Sequence, residues 1–153
     1  MRVVSPVPGV VRSLSDVPDP VFADLVVGPG VAVEPQHLER ITVRAPCDGV
    51  VAAVHPHAFV ISAAPRTAVL VHVGIDTVTL NGQGFTVFAT VGARVTAGDR
   101  VLTWSPVGVA SAGLSTLCPV IALQAEPGQV LPLVAPGAEV DAGDPVLDWP
   151  HQV

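Results

Sequence analysis

H-P-H-A-F-V-I-S-A-A-P-R-T-A-V-L-V-H-V-G-I-D-T, residues 55–77, is an apolar run interrupted once, at Ala63-Ala64-Pro65-Arg66. Two β-rich arms around one turn signal predict an antiparallel hairpin. A turn centred between Ala64 and Pro65 pairs residues whose numbers sum to 129. His57 then falls opposite His72, Phe59 opposite Leu70 and Ile61 opposite Ala68. Directly opposed side chains on one sheet face have Cβ atoms roughly 4.5–5.5 Å apart. By strand alternation His55, His57 and Phe59 share a face, joined by Leu70 and His72 from the other arm. The expected picture is a small apolar depression floored by Phe59 and Leu70 and holding two or three imidazoles. Histidine titrates near neutrality, so such a pair is read as a site rather than as packing.

Outward from this hairpin the composition repeats the same message. Half of the 153 residues are hydrophobic, with 16 prolines and 14 glycines, and valine-rich segments of four to seven residues alternate with Gly, Pro, Asp and Asn. That is strand composition with turn punctuation. The expected fold is all-β, an antiparallel β-sandwich or distorted barrel over a single domain, 1–153, with very short helices about 20–25 and 106–114. Two internal echoes predict an approximate internal symmetry. V-G-A-R-V-T-A-G-D-R-V-L-T-W (91–104) recurs at an offset of 45 in A-P-G-A-E-V-D-A-G-D-P-V-L-D-W (135–149). S-P-V-P-G-V-V (5–11) recurs at an offset of 40 in A-P-C-D-G-V-V (45–51).

Bulk properties exclude several classes. The mean hydropathy of +0.60 is high, yet no run approaches the roughly 18–20 uninterrupted apolar residues of a membrane span. The start, M-R-V-V-S-P-V-P-G, carries no signal-peptide pattern, and a cytoplasmic location is the expectation. A net charge of −6 argues against nucleic acid. All seven cations are arginine, so there is no lysine for a Schiff base, biotin or lipoate. That disposes of a biotinyl- or lipoyl-type carrier, which the G-A-x-V-x-A-G-D-x-V-L strings would otherwise suggest. Cys47 and Cys118 lie in no metal-binding spacing and read as buried, reduced thiols.

Two opposed histidines with no third carboxylate or adjacent Ser or Cys nucleophile suit one task well, nucleophilic attack by imidazole on phosphorus. The second imidazole and backbone N–H groups of the turn at Gly74 could hold the phosphoryl oxygens. Asp76 and Thr77 are assigned orienting or loop-fixing roles. The competing reading is a zinc peptidase of the lysostaphin type, from His55-x-His57 and His72-x-x-x-Asp76. Those enzymes place the two motifs in the opposite order. Adventitious zinc at His57 and His72 is a separate matter, and no native metal or cofactor is expected. A purely regulatory descendant is disfavoured by the intact pair.

The motifs H-A-F-x-I, H-x-G-I-D-T-V-x-L-x-G-x-G-F, V-P-D-x-V-F-A and S-P-x-x-G resemble the glucose-family enzyme IIA of the phosphoenolpyruvate-dependent sugar phosphotransferase system, over nearly the whole chain. The resemblance implies that His72 is the histidine phosphorylated on Nε2 and that His57 helps hold the phosphoryl group. It implies phosphate received from the carrier HPr and passed to a cysteine of a IIB domain of a membrane permease for glucose or N-acetylglucosamine, with no direct sugar contact. It also implies a shallow concave face with an apolar rim, here Phe22, Val27, Leu70 and Val78, with Phe59 beside them. Two departures stand out. His55 replaces a threonine of enteric relatives and is expected at the rim, and Val73 replaces a phenylalanine. The chain begins almost at the first strand, which predicts a free-standing cytosolic protein.

Overall fold

The computed structural model describes residues 1–150; the last three positions of the expected domain lie outside the described residues. In chain order its strands are β1 (Arg2–Val4), β2 (Gly9–Arg12), β3 (Gly30–Pro35), β4 (Ile41–Arg44), β5 (Gly49–His55), β6 (Ala58–Ala64) and β7 (Thr67–His72). There follow β8 (Thr86–Val87), β9 (Arg94–Val95), β10 (Arg100–Trp104), β11 (Cys118–Ala122), β12 (Leu131–Pro132), β13 (Glu139–Val140) and β14 (Pro145–Asp148). Two helices, α1 (Pro20–Ala23) and α2 (Pro106–Ser111), stand where short helices were expected. Each begins with proline behind a polar cap: Asp19 Oδ1 accepts from the Val21 N–H at 3.0 Å, and Ser105 Oγ from the Gly108 N–H at 2.9 Å.

An eight-stranded sheet, β13-β2-β3-β11-β7-β6-β5-β9, is joined by two three-stranded sheets, β1-β14-β12 and β4-β10-β8. Every pairing described is antiparallel. The fold is therefore the all-β sandwich that the valine segments and turn residues imply.

The echoes in sequence are echoes in space. Val4 N–H donates to Pro46 O at 2.8 Å while Arg44 N–H donates to Pro6 O at 2.9 Å, so the two shorter copies bond to each other about a local pseudo-twofold axis. Each then takes one of the longer copies as partner. Ser5 N–H bonds Asp144 O and Ala45 N–H bonds Asp99 O, both at 2.8 Å; Gly143 and Gly98 return bonds to Ser5 O and Ala45 O, both at 2.9 Å. Within each turn the aspartate closes the loop, Asp99 Oδ2 on Thr96 N–H and Asp144 Oδ2 on Asp141 N–H, both at 2.8 Å. These repeats serve folding: Asp and Gly make the turns, and the flanking valines Val95, Val101, Val140 and Val146 are buried.

The main core lies among the three sheets and contains Val3, Val43, Phe59, Ile61, Val71, Leu102, Trp104 and Leu147. The centre of the large sheet is apolar on its other face too. Strand alternation sends Val31 and Val33 of β3 into the main core and Ala32 into a second cluster with Leu14, Val17, Phe22, Ile75, Leu117 and Ile121. In β7 the same alternation puts Val69 and Val71 in the main core and Leu70 against the second cluster. His72, two residues after Leu70, is placed at the border of that second cluster, which helix α1 covers with Phe22.

Candidate active site

The hairpin forms with a register one residue away from expectation. Ala58 lies opposite His72, Phe59 opposite Val71 and Ile61 opposite Val69. The turn residues are Pro65 and Arg66, with Arg66 at φ 60°, and Ala64 pairs with Thr67. An irregularity between Ser62 and Ala64 then shifts the remaining pairs by one. A one-residue shift sends side chains to the opposite face. Phe59 accordingly belongs to the main core, 1% exposed, and does not floor the site beside Leu70.

The histidines nevertheless meet, by another route. His55 ends β5 and pairs with Ala58, so Pro56 and His57 form a two-residue turn rather than continuing a strand. His57 escapes the alternation that buries Phe59. Its carbonyl accepts the Val73 N–H at 2.7 Å, which ties the turn to the chain just beyond β7. The His57 and His72 rings are 5.4 Å apart, edge to face, and His55 stacks on His57 at 5.6 Å with planes 23° apart.

His72 is held on two sides. Its Nδ1–H donates to Gly74 O, and Phe22 packs on its ring at 5.2 Å between centroids. A carbonyl only accepts, so in the neutral ring the proton is on Nδ1 and Nε2 keeps its lone pair. Gly74 has φ 72°; a Cβ there would come within 2.6 Å of Thr77 Cγ2 and 3.0 Å of Ser115 O. Thr77 is buried and its hydroxyl donates to Val73 O at 2.7 Å, while Asp76 takes a left-handed φ of 60°. Two of the turn's amides are engaged elsewhere, Val73 N–H on His57 O and Ile75 N–H on Ser115 O at 3.0 Å. Gly74 thus contributes a carbonyl that fixes the His72 ring.

Folding shifts both rings toward the neutral form. Burial lowers the pKa of His72, opposed by the Gly74 hydrogen bond and by Asp19 and Asp76. Burial also lowers that of His57, reinforced by His72 and His55. Asp19, the cap of α1, acts on His72 across space, and sequence spacing offered no signal of it.

Of the expected rim residues, Phe22 is buried beneath His72, Val27 and Leu70 are partly buried against the second cluster, and Val78 is 56% exposed. Val21, Leu25 and Val26, which flank Phe22 in sequence, are also exposed, Val26 at 71%. The sequence reading named their neighbours Phe22 and Val27 but none of these three. Among the described residues no three His, Cys, Asp or Glu side chains are grouped to hold a metal ion, so the ligand set of a zinc peptidase is not assembled there.

A β-sandwich that presents neutral imidazoles on an apolar face is the architecture expected of a sugar-phosphotransferase IIA phosphocarrier. The chain belongs to the phosphoenolpyruvate-dependent sugar phosphotransferase system EIIA 1 family, whose model matches residues 1–127. It is 38% identical over 123 residues to the glucose-specific EIIA component of Oceanobacillus iheyensis, covering 79% of this chain and 73% of the relative. It is 36% identical over 150 residues to the glucose-specific EIIBCA component of Corynebacterium glutamicum, covering 96% of this chain and 22% of that one. The glucose permease IIA structure from Mycoplasma capricolum superposes with a TM-score of 0.85 at 34% identity, over 96% of this chain and 94% of the other. The chain is a phosphocarrier of the glucose-type EIIA group, and a phosphotransferase role follows from membership; nothing in these likenesses favours a zinc peptidase.

Proposed function

We propose that His72 Nε2 accepts a phosphoryl group from phosphorylated HPr and that the group passes on to the cysteine of a IIB domain. The Nδ1–H bond from His72 to Gly74 O carries this reading, because it leaves Nε2 as the free nucleophile. Nε2 forms a bond to phosphorus as the bond from phosphorus to the donor imidazole breaks, its electron pair returning to the donor ring. In the second transfer the IIB thiolate bonds phosphorus, and the P–N bond electrons return to Nε2. His72 needs no general base in either step, since its reactive nitrogen carries no proton. His57, edge to face with His72, is assigned to hold the phosphoryl oxygens, with the half-burial of the site slowing hydrolysis. The fused EIIBCA organisation of the Corynebacterium glutamicum relative supports a IIB partner.

The exposed Val21, Leu25, Val26 and Val78 are assigned to docking, the same apolar face serving both partners in turn. Residues 1–153 act as one unit in this reading, with β14 pairing on β1 to join the two ends of the described chain. The setting is the cytoplasm, where HPr operates; no helix of the described residues is long and apolar enough to cross a membrane. Sugar choice, of the glucose or N-acetylglucosamine type, is left to the permease. The test is labelling from phosphorylated HPr. Wild type takes up acid-labile, base-stable phosphate, His72→Ala takes up none, and His57→Ala is labelled but fails to pass the group on. Robust labelling of His72→Ala refutes the assignment.

A further inference from the structure

His55 is the one ring of the histidine cluster to which the transfer scheme gives no task. His72 is oriented by a hydrogen bond and by Phe22. His57 has neither aid: among the described residues its side chain has no hydrogen-bond partner, and it stands in a turn whose backbone alone is tethered. One edge-to-face contact with His72 leaves such a ring free to rotate about χ1 and χ2. Its other ring contact is His55, lying within 23° of parallel at 5.6 Å. The two-residue turn makes the stack, because it brings positions 55 and 57 round the corner onto one another.

We propose that His55 is a positioning residue for phosphoryl transfer: its ring is the platform on which His57 is stacked and aimed at His72. This rests on the roles of His57 and His72 given above. A ring held by stacking keeps both of its nitrogens free, one to donate to a phosphoryl oxygen and one to exchange a proton with water. A hydrogen bond from a neighbouring side chain would occupy one of them. The platform is itself ionisable, so it also discourages protonation of His57. The charged or titratable groups facing His57 are His55 and His72; the Asn81–Gly84 loop packed on Pro56 brings none. The arrangement therefore supplies an oriented second imidazole whose surroundings favour its neutral form.

The test compares wild type with His55→Ala and His55→Phe. His55 is exposed and its side chain has no hydrogen-bond partner among the described residues, so both variants fold. Labelling of His72 by phosphorylated HPr stays within about twofold in both. Onward transfer to a IIB acceptor slows by roughly three- to tenfold in His55→Ala, the scale of losing one aromatic pair, and His55→Phe restores it to within about twofold. The His57 titration midpoint, followed by NMR, rises in both variants because the neighbouring charge is gone. Wild-type transfer by His55→Ala, or a His55→Phe protein as slow as His55→Ala, overturns the proposal. If His72→Ala is still labelled, the transfer scheme itself has failed; if His72→Ala is silent while His55→Ala transfers normally, only the platform has.

Discussion

The imidazole of His72 donates through Nδ1 to the carbonyl oxygen of Gly74, two residues further along the chain. The bond depends on a left-handed backbone at Gly74 and on the packing of Thr77 and Ser115 around it. The hydrogen bond that orients the His72 ring is thus a property of the chain's path just after β7.

Replacing Gly74 with alanine tests that dependence. Alanine at position 74 must adopt φ 72°, and its Cβ must displace Thr77 Cγ2 from 2.6 Å. A loss of about 1–3 kcal/mol in urea unfolding is expected. Phosphoryl acceptance at His72 should fall in the variant even at temperatures where it remains folded.

Phe22→Ala removes both a buried part of the second cluster and the ring that covers His72. The expected cost is about 3 kcal/mol, at the lower end for a large aromatic on a small satellite core. Water then reaches the imidazole, so the His72 pKa, lowered mainly by burial, moves back up toward the ordinary histidine value. NMR titration of the two proteins reads this shift directly.

Acid should destabilise the fold through this site. His57 and His72 both have pKa values lowered from 6.5 by folding. As pH falls below about 6.5 the unfolded chain binds protons first, so stability declines; above that pH both states hold neutral rings and the two groups contribute no slope. Urea midpoints measured between pH 5 and 8 should rise with pH and level off, and His57→Gln should flatten part of the rise.

The two thiols should be silent in the native protein. Burial pushes both Cys47 and Cys118 up to about 12, so neither forms thiolate near neutrality. Alkylation of native protein should be slow, with two thiols released on unfolding.

Metal removal separates a phosphocarrier from a metalloenzyme. Dialysis against a chelator should leave labelling at His72 unchanged. Zinc added back should bind weakly, through His57 and His72 alone, and compete with phosphorylation.

Much of this molecule was legible as local chemistry. Valine-rich segments broken by Gly-Asp turns specify antiparallel strands, and the offsets of 40 and 45 announce a symmetry that the bonds of Ser5 to Asp144 and Ala45 to Asp99 realise. The motifs around His57 and His72 pointed to the family to which the chain belongs. Register was not legible. It hangs on an irregularity near Ala63 and a left-handed Arg66, and neither alanine nor arginine signals such a choice. Hence Phe59 was placed in the site although it packs in the main core, and His57 met His72 through a turn rather than across a ladder.

Residue type and order by themselves determined the class of fold and the turns, because these follow from propensities acting over a few residues. The tertiary structure alone decided which nitrogen of His72 is free, what covers its ring and what His57 leans on. Those answers come from Gly74, Phe22, Asp19 and His55, brought to one place by long-range pairing whose register a single extra residue can reverse.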